Sequence, residues 1–337
     1  MVATALIAVT IGGLLSPARA AAEIACDDLK IPVSLGGRRE TVFGRFCQPG
    51  QATTVLVLVP GATYTSEYWD LPARLGLVSF RAGMNDLGYA TLSVDRLGTG
   101  RSSRPVSAQL TTLTQAGVLH QIVGKLRTGA VGPGYAKVIA GGHSLGAAIS
   151  LVEAATYHDV DGVLSAGTTH AFDPVDSATD LVASLRPARL DPALSNRNYD
   201  PGYLTTRPGT RTRAFHRPAH PSAAVAAYEE STKDAFTAAE AADAIGVAAL
   251  TPYTTLIDVP VLIALGGRDE LLCGPLLGTD CTSPATLHRD EAPYFSPAAK
   301  LRTYLQPGYG HSFNFAPNAD AFYRTVASWA DEMVSRY

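Results

Sequence analysis

A chain of 337 residues with 46% hydrophobic and 17% charged side chains carries enough apolar surface for a large buried core, which excludes an intrinsically disordered protein. The formal net charge is −3 and no run of five or six Lys or Arg occurs, so nothing marks a nucleic-acid partner or attachment to an anionic membrane surface.

The N-terminus differs from the rest. "ATALIAVTIGGLL" is followed by "SPARA", ending Ala18-Arg19-Ala20. This reads as the apolar region and A-x-A site of a secretory signal peptide over residues 1–20, cleaved after Ala20, although no Lys or Arg precedes the apolar run. The run is too short to span a bilayer as a helix, so the predicted location is secreted or extracytoplasmic, without a stable membrane span. Cys26, Cys47, Cys273 and Cys281 are an even set, in keeping with export. Four cysteines allow three connectivities. Pairing Cys26 with Cys47 and Cys273 with Cys281 is favoured because each bond closes a short loop. No CxxC spacing points to a metal site.

Residues 30–48, "IPVSL-GGRR-ETVFGRF" and the next two residues, read as a hairpin turning at Gly36-Gly37. "TVLVLVP" at 54–60 is a continuous apolar run, as in a strand buried on both faces. Residues 71–88 have helical spacing of apolar positions and end at Gly88. "ATLSVD" at 90–95 is a second buried strand. Residues 108–128 carry Leu113, Ala116, Leu119, Val123 and Leu126 as one helical stripe, widened by Val118 and Ile122. "KVIAGG", 162–168, 259–267 and 301–308 supply four more strands. Residues 318–336 read as a closing helix that buries Ala321, Phe322, Val326, Trp329 and Val334. Strands alternating with helices predict an α/β fold with a doubly wound, mostly parallel sheet.

The interval 172–256 breaks the alternation. It is rich in Pro, Ala, Asp and Arg, lacks a clear apolar strand, and is too long for a plain connection. "DSATDLVASL", "AAVAAYEEST" and "AAEAADAIG" read as short helices. The predicted organisation is therefore a core of residues 21–171 and 257–337 with an inserted helical lid at 172–256.

The chemistry centres on "GGHSLGA", residues 141–147. Ser144 falls between a buried strand and the helix former "LGAAISLVEAA". A serine on so tight a turn projects its hydroxyl away from the backbone, and the close approach on either side suits Gly142 and Gly146. The Leu145 N–H at the helix start, and the Ala62 N–H in "PGA" after the first central strand, can both face a developing oxyanion. A hydroxyl nucleophile needs a base, and the base an orienting acid. Asp269 lies just past the fifth strand and His311 just past the sixth, and parallel strands bring their C-terminal ends to one edge. Glu270, Asp173 and Asp176 compete for the acid role. Among the other histidines, His120 reads as structural, His143 as packing under the elbow, and His170 as a rival near the site. Asp95 in "VDRLGTG" reads as structural, capping or ion-pairing with Arg96 or a neighbour. "GTGRSS" lacks the Lys of a phosphate loop.

With "PGA", "VDRLGTGRSS", "GHSLGA", "GGRDEL" and "GYGHSF" in this order, the chain resembles the α/β-hydrolase family over residues 50–172 and 257–337. It departs from the family where His-Gly is often found: Pro60-Gly61 keeps the backbone donor and lacks the imidazole. The elbow serine, where acid-nucleophile relatives such as dehalogenases carry Asp, favours acyl transfer. The resemblance implies Ser144 as nucleophile, His311 as base and Asp269 as orienting acid, with Ala62 and Leu145 as oxyanion donors and no metal or organic cofactor. The expected partner is a small acyl substrate with an apolar part, a carboxylic ester first. A thioesterase, lactonase or acyltransferase, or a non-catalytic ligand-binding relative, is the alternative. Tyr64, Tyr68, Trp69, Phe172 and Phe313 are the pocket candidates, each as apt to pack in the core.

Overall fold

The computed structural model describes residues 24–250, 253–275 and 277–334; the expected signal peptide lies outside them. Strands β1 (Cys26–Leu35) and β2 (Arg38–Cys47) form the hairpin. Its two-residue turn has φ of 55° at Gly36 and 78° at Gly37, the left-handed conformations that a tight hairpin turn takes most readily at glycine. The register sets Cys26 opposite Cys47 at the open end, where a disulfide joins them.

After β3 (Thr54–Val59) the predicted helix 71–88 is cut short. Pro72 precedes a single turn at Ala73–Leu75, Gly76 takes a left-handed φ of 71°, and the chain restarts as α1 (Phe80–Asp86) only where the Ser79 side chain caps the Ala82 N–H at 3.0 Å. Then follow β4 (Ala90–Val94), α2 (Thr112–Thr128), β5 (Lys137–His143), α3 (Leu145–Tyr157) and β6 (Gly162–Ala166). The α2 stripe runs as expected except at Leu113. Thr111 caps this helix, so Leu113 falls in its first turn on the outer side, 43% exposed.

Between β6 and the next core strand, residues 172–256 contain more than helices. A single turn α4 (Pro174–Asp176) leads to β7 (Leu185–Pro187) and β8 (Tyr203–Thr206), then α5 (Ala223–Thr232), β9 (Phe236–Thr237) and α6 (Ala238–Leu250). β7, β8 and β9 form a three-stranded antiparallel sheet. Strands this short carry no readable period of two, which is why the sequence showed none. The core resumes with β10 (Val261–Gly266), α7 (Pro284–Glu291), β11 (Arg302–Gln306) and α8 (Asp320–Met333).

The main sheet has eight strands in the order β1-β2-β4-β3-β5-β6-β10-β11, antiparallel at β1-β2-β4 and parallel from β4 onward. Alternate side chains of β3 feed its two faces: Val55, Val57 and Val59 pack with α2 and α3, while Leu56 and Leu58 pack with α1 and α8. The α8 face is wider than predicted, adding Tyr323, Ala327 and Ala330, while Ala321 is only partly buried. Among the described residues no helix is long and apolar enough to cross a membrane.

A second disulfide joins Cys273 to Cys281 in the loop after β10. The Cys273 N–H donates to the Asp269 carbonyl at 2.8 Å, so the bond restrains the segment that carries Asp269. Replacing both cysteines by Ser is expected to remove about 2–3 kcal/mol of loop-closure stabilisation. Calorimetry should show a melting temperature lower by roughly 5 °C, and an unchanged melt would show that the bond does not restrain the loop.

Candidate active site

The turn from β5 into α3 is made by one residue. Ser144 sits at φ 53° and ψ −120°, a region that non-glycine residues occupy only under constraint. The constraint is steric. A Cβ on Gly142 would lie 2.1 Å from the Gly146 carbonyl oxygen, and one on Gly146 would lie 2.2 Å from the Val59 carbonyl oxygen. Neither position admits a side chain, so α3 starts in backbone contact with the end of β3. The Ser144 N–H donates to the Ala166 carbonyl at 2.7 Å, and its own carbonyl accepts from Ala147 and Ala148 N–H and from Thr168 Oγ1. The backbone is pinned on both sides.

Asp269 follows β10 and is fully buried. Its Oδ1 accepts from the Leu271 N–H at 3.0 Å and its Oδ2 from His311 Nδ1 at 2.7 Å. Acceptance at Nδ1–H fixes the tautomer of His311 and leaves Nε2 as the basic ring nitrogen. The competitors are engaged elsewhere: Glu270 pairs with Arg217 at 3.2 Å, and Asp173 Oδ1 accepts from the Val175 N–H. The Asp176 side chain lies outside the described ones. His170 has both nitrogens occupied, Nδ1 by Glu291 at 2.7 Å and Nε2 by Thr254 Oγ1 at 2.8 Å. His120 pairs with Asp159.

His143 lies against the site. Its Nε2–H donates to the His311 carbonyl at 3.1 Å, and its ring stacks on Tyr68 at 4.2 Å. Burial, with His311 nearby, holds it well below the usual imidazole range, so it stays neutral. A Cβ on Gly167, just past β6, would lie 3.2 Å from His143 Nε2 and 3.4 Å from His311 Cε1. The end of β6 thus touches both rings.

Among the described residues, neither the Ala62 nor the Leu145 N–H has a protein acceptor. The loop that carries Ala62 is held from behind. Arg96 donates through Nε to the Pro60 carbonyl at 3.2 Å and through Nη2 to the Gly61 carbonyl at 3.3 Å. Arg96 is buried and pairs with Glu240 of α6, not with Asp95. Asp95 instead accepts from the Ser66 and Arg101 N–H groups, each at 2.8 Å.

Of the aromatic candidates, Trp69 packs on Phe80 and Phe313 on Phe322, both fully buried in the core beside α1 and α8. Phe172 is half-buried. Tyr68 lies under His143, and Tyr64 belongs to a buried polar set that the sequence did not reveal. The Tyr64 hydroxyl donates to Glu229 and accepts from Ser312 Oγ at 2.7 Å. Glu229 also binds His216 Nε2 and, at 3.1 Å, Arg211. His216 Nδ1 meets the Tyr309 hydroxyl at 2.8 Å, and the Phe215 carbonyl accepts the Ser312 N–H at 2.8 Å. Tyr309 and Ser312 flank His311, and Tyr64 follows Ala62 by two positions. Arg211, His216 and Glu229 therefore join residues 172–256 to both loops of the site. No local motif marks them; a glutamate within the alanine-rich α5 is the hint for Glu229, and Arg211 and His216 carry none.

Comparison with known proteins follows the same lines. A model of the alpha/beta hydrolase family matches residues 56–325. No curated protein sequence matches significantly. Similar solved structures include a soluble variant of monoglyceride lipase from Saccharomyces cerevisiae, 17% identical over 94% of this chain and 97% of that one, with a TM-score of 0.60. A thermophilic esterase from Thermogutta terrifontis is 18% identical over 91% of this chain and 99% of that one, with a TM-score of 0.58. A bacterial membrane phospholipase A is 14% identical over 92% of this chain and 87% of that one, with a TM-score of 0.59. At these identities the likeness is one of fold.

Burial alone would raise the Glu229 carboxyl, but His216 and Arg211 outweigh it and hold it at about 2. A carboxyl lowered on folding stabilises fully above its unfolded value, about 4.3, and that contribution is lost as pH falls toward the folded one. Glu229→Gln is expected to cost about 3–5 kcal/mol at neutral pH, because Arg211 is left buried without its counter-charge. In denaturant titrations the gap between wild type and variant should close between about pH 4.5 and pH 2. A gap that persists unchanged at low pH would show that the loss is one of packing.

Proposed function

The chain belongs to the alpha/beta hydrolase family, and on that premise we propose that it is an exported serine hydrolase that cleaves carboxylic esters through an acyl-enzyme on Ser144. The observation that carries this reading is the strained backbone of Ser144, at φ 53° and ψ −120°, at the same sheet edge as the Asp269–His311 pair. Strain of this kind persists where the surrounding packing enforces it, and it clusters at reacting groups.

In the proposed cycle the Ser144 hydroxyl attacks the ester carbonyl while His311 Nε2 takes its proton. Negative charge on the former carbonyl oxygen is met by the Ala62 and Leu145 N–H groups, and the N-terminal end of α3 adds a favourable dipole. Asp269 stabilises the imidazolium and keeps the ring in register. His311 then protonates the departing alkoxide, and the alcohol leaves. A water molecule, losing its proton to His311, attacks the acyl group, and collapse returns the proton to Ser144 Oγ and frees the acid. No metal or organic cofactor takes part in these steps.

The esterase and lipase structures of similar fold support an ester as the first substrate class. Two disulfides support the extracytoplasmic placement. Residues 172–256 would act as the lid that sets which acyl and alcohol groups enter.

A fluorophosphonate probe is expected to label the wild-type protein and not Ser144→Ala. Hydrolysis of p-nitrophenyl acetate should fall at least about 10³-fold in Ser144→Ala and about 10⁴-fold in Asp269→Asn, which holds the ring in the wrong tautomer. Labelling that survives in Ser144→Ala, or a folded wild type that the probe leaves untouched, would remove the basis of this proposal. Thioesters, lactones and alternative acyl acceptors in the same assay separate an esterase from its relatives.

A further inference from the structure

Toward the end of α3 opposite Ser144, about 14 Å along the helix axis at Glu153, a second group of chemically active side chains meets. Glu153 comes from α3, Asp159 from the loop between α3 and β6, and His120 from α2. One ligand atom of each lies within 4.8 Å of the others. We propose that His120, Glu153 and Asp159 bind one divalent transition-metal ion of the zinc type, at a structural site separate from Ser144.

Glu153 carries the argument. Its side chain is fully buried, and neither carboxylate oxygen meets a hydrogen-bond donor of the protein; the group it faces is the Asp159 carboxylate, itself an acceptor. Asp159 Oδ1 is likewise unpartnered, while its Oδ2 meets His120 Nδ1 at 2.7 Å. Two carboxylates this close, one of them fully buried, need a positive charge or a proton between them. The Arg127 guanidinium makes no hydrogen bond to either carboxylate: it is directed to Asp161 and to the carbonyls of Ala136 and Asp159, and acts on Glu153 only as a charge at a distance. In the absence of a cation the proton is the occupant.

The donor set chooses the metal. One imidazole nitrogen with two carboxylates suits zinc and its neighbours cobalt and nickel, whereas calcium and magnesium prefer oxygen alone. Zinc bonds of about 2.0–2.2 Å place tetrahedral ligand atoms roughly 3.4 Å apart. The His120–Asp159 contact of 2.7 Å would have to open and the rest of the set, within 4.8 Å, to adjust, by rotation of His120 and Asp159, whose side chains are 42% and 26% exposed. That same exposure opens a path from solvent and leaves room for a water ligand, while Tyr157 stacks on the His120 ring at 4.0 Å and sets its plane. The ion would tie α2 to the end of α3. Its ligands come from three separate segments, so no spacing motif reveals them.

The test uses the full-length mature protein freed of metal by chelation, with Zn²⁺, Co²⁺, Ca²⁺ and Mg²⁺ added singly. The expected result is one Zn²⁺ per chain by calorimetry, a melting temperature raised by several degrees, and visible absorption from bound Co²⁺, with no response to Ca²⁺ or Mg²⁺. His120→Ala alters an exposed side chain and keeps the fold. It should weaken Zn²⁺ binding 10- to 100-fold or more, and Glu153→Gln should do the same. Absence of stoichiometric Zn²⁺ binding overturns the proposal, as does binding that both variants retain. A Glu153→Gln protein that melts at or above wild type in metal-free buffer, in a wild type that Zn²⁺ does not stabilise, assigns the site to a shared proton only.

Discussion

The rest of the structure depends on one backbone contact: the start of α3 against the end of β3. Gly146 approaches the Val59 and Pro60 carbonyls so closely that a methyl group would sit 2.2 Å and 2.7 Å from them. Gly142 faces Gly146 in the same way. Ser144, between them, has no relaxed conformation open to it and takes φ 53°. Strain at one residue is tolerable because β3 and β5 are central strands, paired along their length and buried on both faces. The same contact brings the loop after β3, with Ala62, beside the N-terminus of α3. The Ser144 hydroxyl and the Ala62 and Leu145 N–H groups, the proposed nucleophile and oxyanion donors, are thus carried by packing that is complete before any substrate arrives, which is the condition under which such donors act most strongly.

Two buried charged sets complete the arrangement, and both include residues from the segment between β6 and β10. Arg96 with Glu240 holds the carbonyls of Pro60 and Gly61. Glu229 with Arg211 and His216 holds Tyr64 on one side and the residues flanking His311 on the other. Buried ion pairs gain little over well-packed apolar side chains, because desolvation offsets most of the attraction. Their clear consequence here is positional. Each set has partners on several elements, so the loops after β3 and β11 cannot shift without breaking a hydrogen bond to it.

Much of this was legible in the chain. The buried strands announced themselves as apolar runs, Gly36-Gly37 marked the hairpin, and loop length favoured the cysteine pairs that formed. The failures have local causes. The helix expected over 71–88 begins only at Phe80, because Pro72, Gly76 and the Ser79 cap outweigh apolar spacing. Leu113 fits the α2 stripe by count yet is exposed, since the helix enters from its Thr111 cap with Thr112, Gln115 and Ala116, and not Leu113, turned to the core. The three-stranded sheet of β7, β8 and β9 was invisible because strands of so few residues show no alternation.

The sequence by itself determined what one segment can specify: strands buried on both faces, helix caps, a serine at a strand-to-helix junction, and an acid and a histidine placed just past two other strands. Only the tertiary structure decided among neighbours. Asp269 and Glu270 are adjacent in sequence, but one meets His311 and the other Arg217. His170 also follows a core strand, yet Glu291 and Thr254 occupy both its nitrogens. Glu229, Arg211 and Glu240 carry no motif at all. Periodicity and turn chemistry are local, acting over a few residues. Which distant side chains finally touch is set by strand order and by the requirement that buried charges be paired, and neither is written in spacing.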